Sequence, residues 1–173
     1  MRNPAVVLLL VVAGVAVAGG QPPADAKLQA QLTRLFPSAT FSAKAGDPPH
    51  FKAFASDSSG AQTLTGFAFW TTDLEPLERG YDGPIRMLVG MDTRGALTGV
   101  IVVEHHEPYG NFSVDPPEFA AQFKGKSIRD PFRVGSDIDA VSRATITVTS
   151  ATRAVRNSAR RVARQLLKPE ATK

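Results

Sequence analysis

The sequence predicts an α+β fold: one domain whose mainly antiparallel sheet is packed by helices, including a long C-terminal helix. Three observations carry this. Short apolar and aromatic runs in the middle of the chain are separated by turn residues. Residues 84–104 form a clear hairpin pattern. A long amphipathic pattern closes the chain. Strands grouped together, with helices grouped around them, are the mark of an α+β domain. The 173 residues are about the size of one domain.

The elements follow in order. Residues 25–36 read as a short amphipathic helix, with Asp25 as its cap and Leu28, Leu32, Leu35 and Phe36 at helical spacing. Pro37 stops it. His50 to Ala55 alternates weakly as a strand, and Leu64 to Trp70 is a stronger one, aromatic enough for a half-buried pleated surface. Asp73 to Gly83 is polar and irregular. Pro84 to Met91 and Leu97 to Glu104 are the arms of the hairpin, joined by Asp92-Thr93-Arg94-Gly95. His105 to Pro117 is a loop, Pro117 to Phe123 a short helix, Ser127 to Val134 an extended segment and Gly135 to Ala140 a turn. Ser150 to Lys168 is the strongest helix, with Ala151, Val155, Ser158, Ala159, Val162 and Leu166 on one face. Pro169 ends it.

Composition excludes several functions. Hydrophobic residues make up 43% and charged residues 21%, ordinary values for a globular chain. There is no cysteine. That rules out disulfides, thiolate catalysis, Cys-ligated zinc and iron–sulfur clusters on this chain. Residues 1–20 read as a signal peptide or a retained signal anchor: Arg2, an apolar core from Ala5 to Ala18, and small residues at Ala16-Val17-Ala18. Residues 21–173 form the domain, which is then periplasmic or otherwise extracytoplasmic. The net charge of +4 gathers partly on the last helix, at Arg153, Arg156, Arg160, Arg161, Arg164 and Lys168. A solvated face is the ordinary reading of such a stripe. Contact with an acidic partner or a membrane surface is the sharper one, and export argues against nucleic acid.

The segment with chemical content is Asp139-Ala140-Val141-Ser142-Arg143-Ala144-Thr145-Ile146-Thr147. It is a hydroxyl-rich turn leading into the last helix, with Thr147, Thr149 or Ser150 as candidate caps. A helix N-terminus has free amides and partial positive charge, so an anion placed there is stabilised. Arg143 and Arg153 would add charge-assisted contacts. The plain alternative is an ordinary N-cap turn.

These residues resemble the flavinylation motif of the FMN-binding domain family. That family includes the flavin subunits of the Rnf complex and the sodium-pumping NADH:quinone reductase, and the exported domain of NosR-type proteins. Its pattern is Asp, two or three variable residues, Ser or Thr, Gly, Ala and Thr. The resemblance makes Thr145 the acceptor of a covalent FMN phosphoester, with Asp139, Ser142 and Ala144 as matching positions. Arg143 stands where the pattern has Gly. Further matching stretches are Gly66-Phe67-Ala68-Phe69, Gly80-Tyr81-Asp82-Gly83-Pro84-Ile85, Val89 to Asp92, Gly95 to Gly99, Ile128 to Pro131 and Arg133-Val134-Gly135. Val103 to Pro108 is similar to a loop that lies by the flavin in the family.

The resemblance implies an electron carrier with no substrate chemistry of its own. It also implies a flavin transferase for maturation and redox partner proteins such as a membrane complex or cytochrome. Expected cofactor-binding residues are Thr145, Asp139, Ser142, Arg143, Ala144 and Thr147, with Glu104, His105, His106, Glu107 and Phe112 from the loop. Glu104 to Glu107 also invites a metal reading. However, adjacent His105 and His106 point to opposite sides of an extended chain, and no spaced histidine pair exists, so no metal site is expected. Tyr81 and Trp70 read as core or rim residues, and Phe112 has the better claim as a flavin neighbour. The alternative function is a flavin-free or flavin-sensing module assisting maturation or regulation of a respiratory complex.

Overall fold

The computed structural model describes residues 25–167. The expected signal segment and the ends of the chain lie outside the described residues. Five strands form one antiparallel sheet in simple sequence order: β1 (Thr40–Phe41), β2 (Phe51–Ser56), β3 (Gln62–Trp70), β4 (Arg86–Asp92) and β5 (Leu97–Glu104). Five helices surround it: α1 (Ala26–Leu35), α2 (Thr71–Leu74), α3 (Gly110–Ser113), α4 (Pro117–Ala121) and α5 (Thr145–Leu166). The expected α+β architecture is present.

The central strands are buried on both faces. Side chains alternate across a strand, so Phe67 and Phe69 join one core with Met87, Val89 and Met91, while Ala68, Trp70 and Leu88 join the other. The first core lies under α5, which contributes Val148, Ala151, Val155, Ala159 and Val162. Leu32 and Leu35 of α1, with Phe36 just after it, close the second. Cover on both sides explains why β4 is an almost continuous apolar run instead of an alternating one.

The glycines of the middle strands make room for α1. A Cβ on Gly66 would lie 2.6 Å from the Phe36 ring, and one on Gly90 3.1 Å from both Phe36 and Leu35. The β4–β5 turn is fastened by Asp92, whose carboxylate accepts from the amides of Arg94 (2.8 Å) and Ala96 (2.9 Å). Gly95 follows with φ +85°, a conformation open to glycine without strain.

Four expectations need correction. The last helix starts at Thr145, five residues before Ser150, so Thr147, Thr149 and Ser150 are inside it and none is its cap. The β-branched, hydroxyl-rich run Thr145 to Ser150 disguises the start, because such residues have low helix propensity. Burial of Thr147, Val148 and Ser150 overrides it. Residues 127–134, expected to be extended throughout, turn at Ile128 and Arg129 and meet other segments only through single bridges at Ser127 and Val134. The irregular stretch from Asp73 begins inside α2, and the loop after β5 contains the single-turn α3.

Candidate functional site

Three segments meet at the start of α5: the loop from Glu75 to Ile85, the chain leaving β5, and the turn from Asp139 to Ala144. One buried carboxylate ties the first two of them to the first turn of α5. Glu107 is 6% exposed. Its Oε2 accepts from the Tyr81 amide (2.9 Å) and the Thr147 hydroxyl, and its Oε1 accepts from the Asp82 amide (3.0 Å). Burial pushes the Glu107 carboxyl up, but the hydrogen bonds from Thr147, Asp82 and Tyr81, with nearby His105, outweigh it and hold the group below the ordinary glutamate value. Glu107 is therefore an ionised brace. Gly80 lies flat against it: a Cβ there would overlap the Glu107 carboxylate.

A second brace sits one turn along. Glu78 accepts from Arg153 through Nε (2.7 Å) and Nη2 (2.6 Å), and from the Ser150 hydroxyl (2.9 Å). The Arg153 hydrogen bonds are the main reason that the Glu78 carboxyl lies below its ordinary value, against the opposing effect of burial.

Above these braces is a cavity of about 310 Å³ lined by Tyr81, Tyr109, Arg143, Ala144, Thr145, Ile146 and Thr147. Its rim is apolar yet open: Tyr81 is 70%, Ile146 57% and Tyr109 46% exposed. Such a cluster of exposed large side chains commonly marks a binding surface. Phe112 packs against Tyr109 with the rings tilted by 38° and their centroids 5.3 Å apart, extending the surface. Thr145 is the first residue of α5 and is exposed. No side chain caps the helix. Among the described residues, the amides of Thr145, Ile146 and Thr147 have no acceptor. Arg143 is exposed, lines the cavity and has φ +67°, the left-handed region that glycine occupies without strain.

The expected site residues divide into three groups. Arg143, Ala144, Thr145 and Thr147 line the cavity. Glu107 lies beneath it, and Phe112 beside it. The others stand apart. His105 is a loop brace, bonded through Nε2 to Asp115 (2.7 Å) and accepting at Nδ1 from the Glu107 amide (3.1 Å). Glu104 pairs with Arg86 at 3.8 Å. His106, Asp139 and Ser142 are outside the lining. Among the described residues no group of three or more His, Asp or Glu is arranged to hold a metal ion. Ile146 and Tyr109 carry no signal in the sequence, and Tyr81 reads there as a core or rim residue. The Gly-Tyr-Asp-Gly stretch points at Tyr81, but no local pattern marks Tyr109 or Ile146.

Residues 80–160, which hold every residue of this cavity, match the model of the FMN-binding domain. This segment belongs to the FMN-binding domain family. The chain is also similar to the G subunit of the ion-translocating oxidoreductase complex of Haemophilus influenzae. Identity there is 45% over 47 residues, covering 27% of the chain and 21% of that protein. Its counterpart from Vibrio vulnificus is 32% identical over 89 residues, covering 46% and 42%. The regulatory protein NosR of Pseudomonas aeruginosa is 28% identical over 165 residues, 90% of the chain and 22% of NosR. The chain thus spans about a fifth to two fifths of the length of these relatives. No helix among the described residues is long and apolar enough to cross a membrane.

The residues present fit FMN. Its phosphate needs donors and positive charge, which the open amides of α5 and Arg143 offer. Its flat ring needs apolar and aromatic surface, which Tyr81, Tyr109 and Ile146 offer.

Proposed function

We propose that this chain is an exported electron-transfer flavoprotein that carries FMN through a phosphoester on Thr145 and passes electrons between respiratory or membrane-linked partners. One observation carries the reading. Thr145, at the last position of the family pattern, stands exposed on the uncapped first turn of α5 and lines the cavity with Tyr81, Tyr109 and Arg143. The likeness to the G subunit of ion-translocating complexes and to NosR supports redox partners of the same kind.

Bound FMN supplies a reversible redox group at this surface. The chain's own residues do the rest. The free amides at the start of α5 and the Arg143 guanidinium stabilise the phosphate charge. Tyr81, Tyr109 and Ile146 shield the ring, and the Glu107–Thr147 contact holds the two loops that carry the tyrosines against α5. A covalent link suits an exported carrier, because a cofactor lost outside the membrane is not recovered. The signal-like segment 1–20 supports export, and installation of the ester requires a flavin transferase. Arg143 does not break the motif's backbone: it adopts the conformation that glycine would take there.

Coexpression with a flavin transferase, denaturation, gel fluorescence and intact mass test the link. The expected result is a mass gain of FMN less water on the wild type and none on Thr145→Ala. An unlabelled wild type, beside a labelled standard target of the same transferase, would overturn the reading.

A further inference from the structure

A second cavity opens further along the N-terminal half of α5. It measures about 320 Å³ and is lined by Pro131, Phe132, Arg133, Val134, Thr149, Thr152, Arg153 and Arg156. One wall, from the 131–134 turn, is apolar apart from Arg133. The other carries two hydroxyls and two guanidinium groups of α5.

The charges here are not balanced. Arg153 is matched by Glu78 at 2.6 Å, and the nearby Asp137 carboxylate by Lys126 at 3.1 Å. Arg133 and Arg156 have no ion-pair partner among the described residues. Arg156 donates through Nε to the neighbouring Asn157 side chain at 3.2 Å, leaving the remainder of its fork free.

The turn is also held in an unusual shape. Phe132 has φ +50°, which a bulky residue adopts only when its surroundings insist. Asp137 insists: it accepts from the amides of Phe132 (3.1 Å) and Arg133. The Phe132 ring is locked inward against Phe123, and the turn sets Arg133 in the cavity wall facing α5.

We propose that this cavity binds an oxyanion of the phosphate class, held by Arg133 and Arg156 with the Thr149 hydroxyl as a further donor. Planar guanidinium forks from two segments, with a hydroxyl between them, match the oxygens of a phosphate or phosphomonoester. Thr145, Thr149, Thr152 and Arg156 recur at helical spacing, so the site lies along the helix from the proposed flavin threonine. It does not depend on that threonine carrying flavin. The anion comes either as inorganic phosphate or as the terminal group of a nucleotide, for which Pro131 and Val134 offer an apolar ledge.

The test is amide chemical-shift titration of the flavin-free protein, in a non-phosphate buffer, with inorganic phosphate and separately with AMP. Saturable shifts centred on residues 131–134 and 149–156 are expected. Arg133→Gln and Arg156→Gln should each weaken binding about tenfold. Thr149→Val, which replaces only the hydroxyl by a methyl, should weaken it less while keeping the spectrum folded. Equal affinity for both probes identifies inorganic phosphate, and tighter AMP identifies a nucleotide. Shifts confined to residues 143–147, shifts unchanged in the double arginine variant, or no saturation would each overturn the proposal. Thr145→Ala should titrate like wild type, which separates this site from the flavin reading.

Discussion

The exposed first turn of α5 and the layer directly beneath it are neighbours in sequence and opposites in design. Arg143, Thr145 and Ile146 are turned outward, with Tyr81 and Tyr109 around them. Thr147 and Ser150, within a turn or so, are buried and committed to Glu107 and Glu78. The upper set makes almost no contact that folding requires. The lower set is almost wholly structural. A cofactor platform needs both: groups free to meet a ligand, on a base that does not shift when the ligand arrives.

The largest expected effect follows from breaking the base. Glu107→Ala removes one ion and leaves two amides and a buried hydroxyl without an acceptor. Stability should fall by about 3 kcal/mol or more, read as the urea midpoint. Flavin labelling should fall with it, although Glu107 is outside the cavity lining. Thr145→Ala should do the reverse, abolishing labelling while moving stability by no more than about 0.5 kcal/mol. If the two variants behave alike, the division between platform and base is wrong.

Gly80→Ala is the next sharpest. The added methyl would overlap the Glu107 carboxylate. That carboxylate is pinned by three hydrogen bonds, so the loop itself must move. A loss of about 1–3 kcal/mol is expected from thermal or urea unfolding. A neutral result would mean that the 75–85 loop adapts freely and that Glu107 is not its anchor.

The two braces also predict acid sensitivity. The Glu78 and Glu107 carboxyls lie below their ordinary values in the folded protein. Their stabilisation is complete above the unfolded glutamate pKa of about 4.3 and is lost as pH falls through the lower folded values. Unfolding midpoints should therefore hold steady from neutral pH to about 5 and drop below about 4.3. Glu78→Gln should be less stable at neutral pH and show a shallower acid limb. An acid limb unchanged in that variant would remove Glu78 from the account.

These contrasts also mark how far the sequence can be read. The β4–β5 hairpin is legible because Asp92-Thr93-Arg94-Gly95 is local turn chemistry, and the α1 boundaries because Asp25 and Pro37 bracket a periodic stripe. Thr145 is legible through a motif. The start of α5 is not, since residues with poor helix propensity are carried into it by burial. Nor is the role of Glu107: a carboxylate in a polar loop reads as a ligand until its partners at Tyr81, Asp82 and Thr147 are known. Those contacts span 25 to 40 residues. The arginines of α5 hide their roles in a similar way. Arg153 is committed to Glu78, Arg160 donates to the carbonyls of Ile128 and Asp130, and Arg161 to that of Leu74. Much of the cationic stripe ties loops to the helix.

The smallest expected effect lies on the platform, at Arg143. Its left-handed backbone costs a residue with a Cβ about 1–2 kcal/mol, and glycine escapes that cost while losing about 0.5–1 kcal/mol of chain entropy. Arg143→Gly should thus be between neutral and about 1.5 kcal/mol more stable than wild type, whereas Arg143→Ala, which keeps the Cβ, should gain nothing. The comparison of the two separates backbone from side chain. If glycine gains and alanine does not, the arginine is held at a stability cost in a place where its guanidinium does no folding work, and its use must lie with what enters the cavity. If both variants lose about 1 kcal/mol or more, the guanidinium is bound to the folded chain, and the first turn of α5 is less free of structural duty than its exposure indicates.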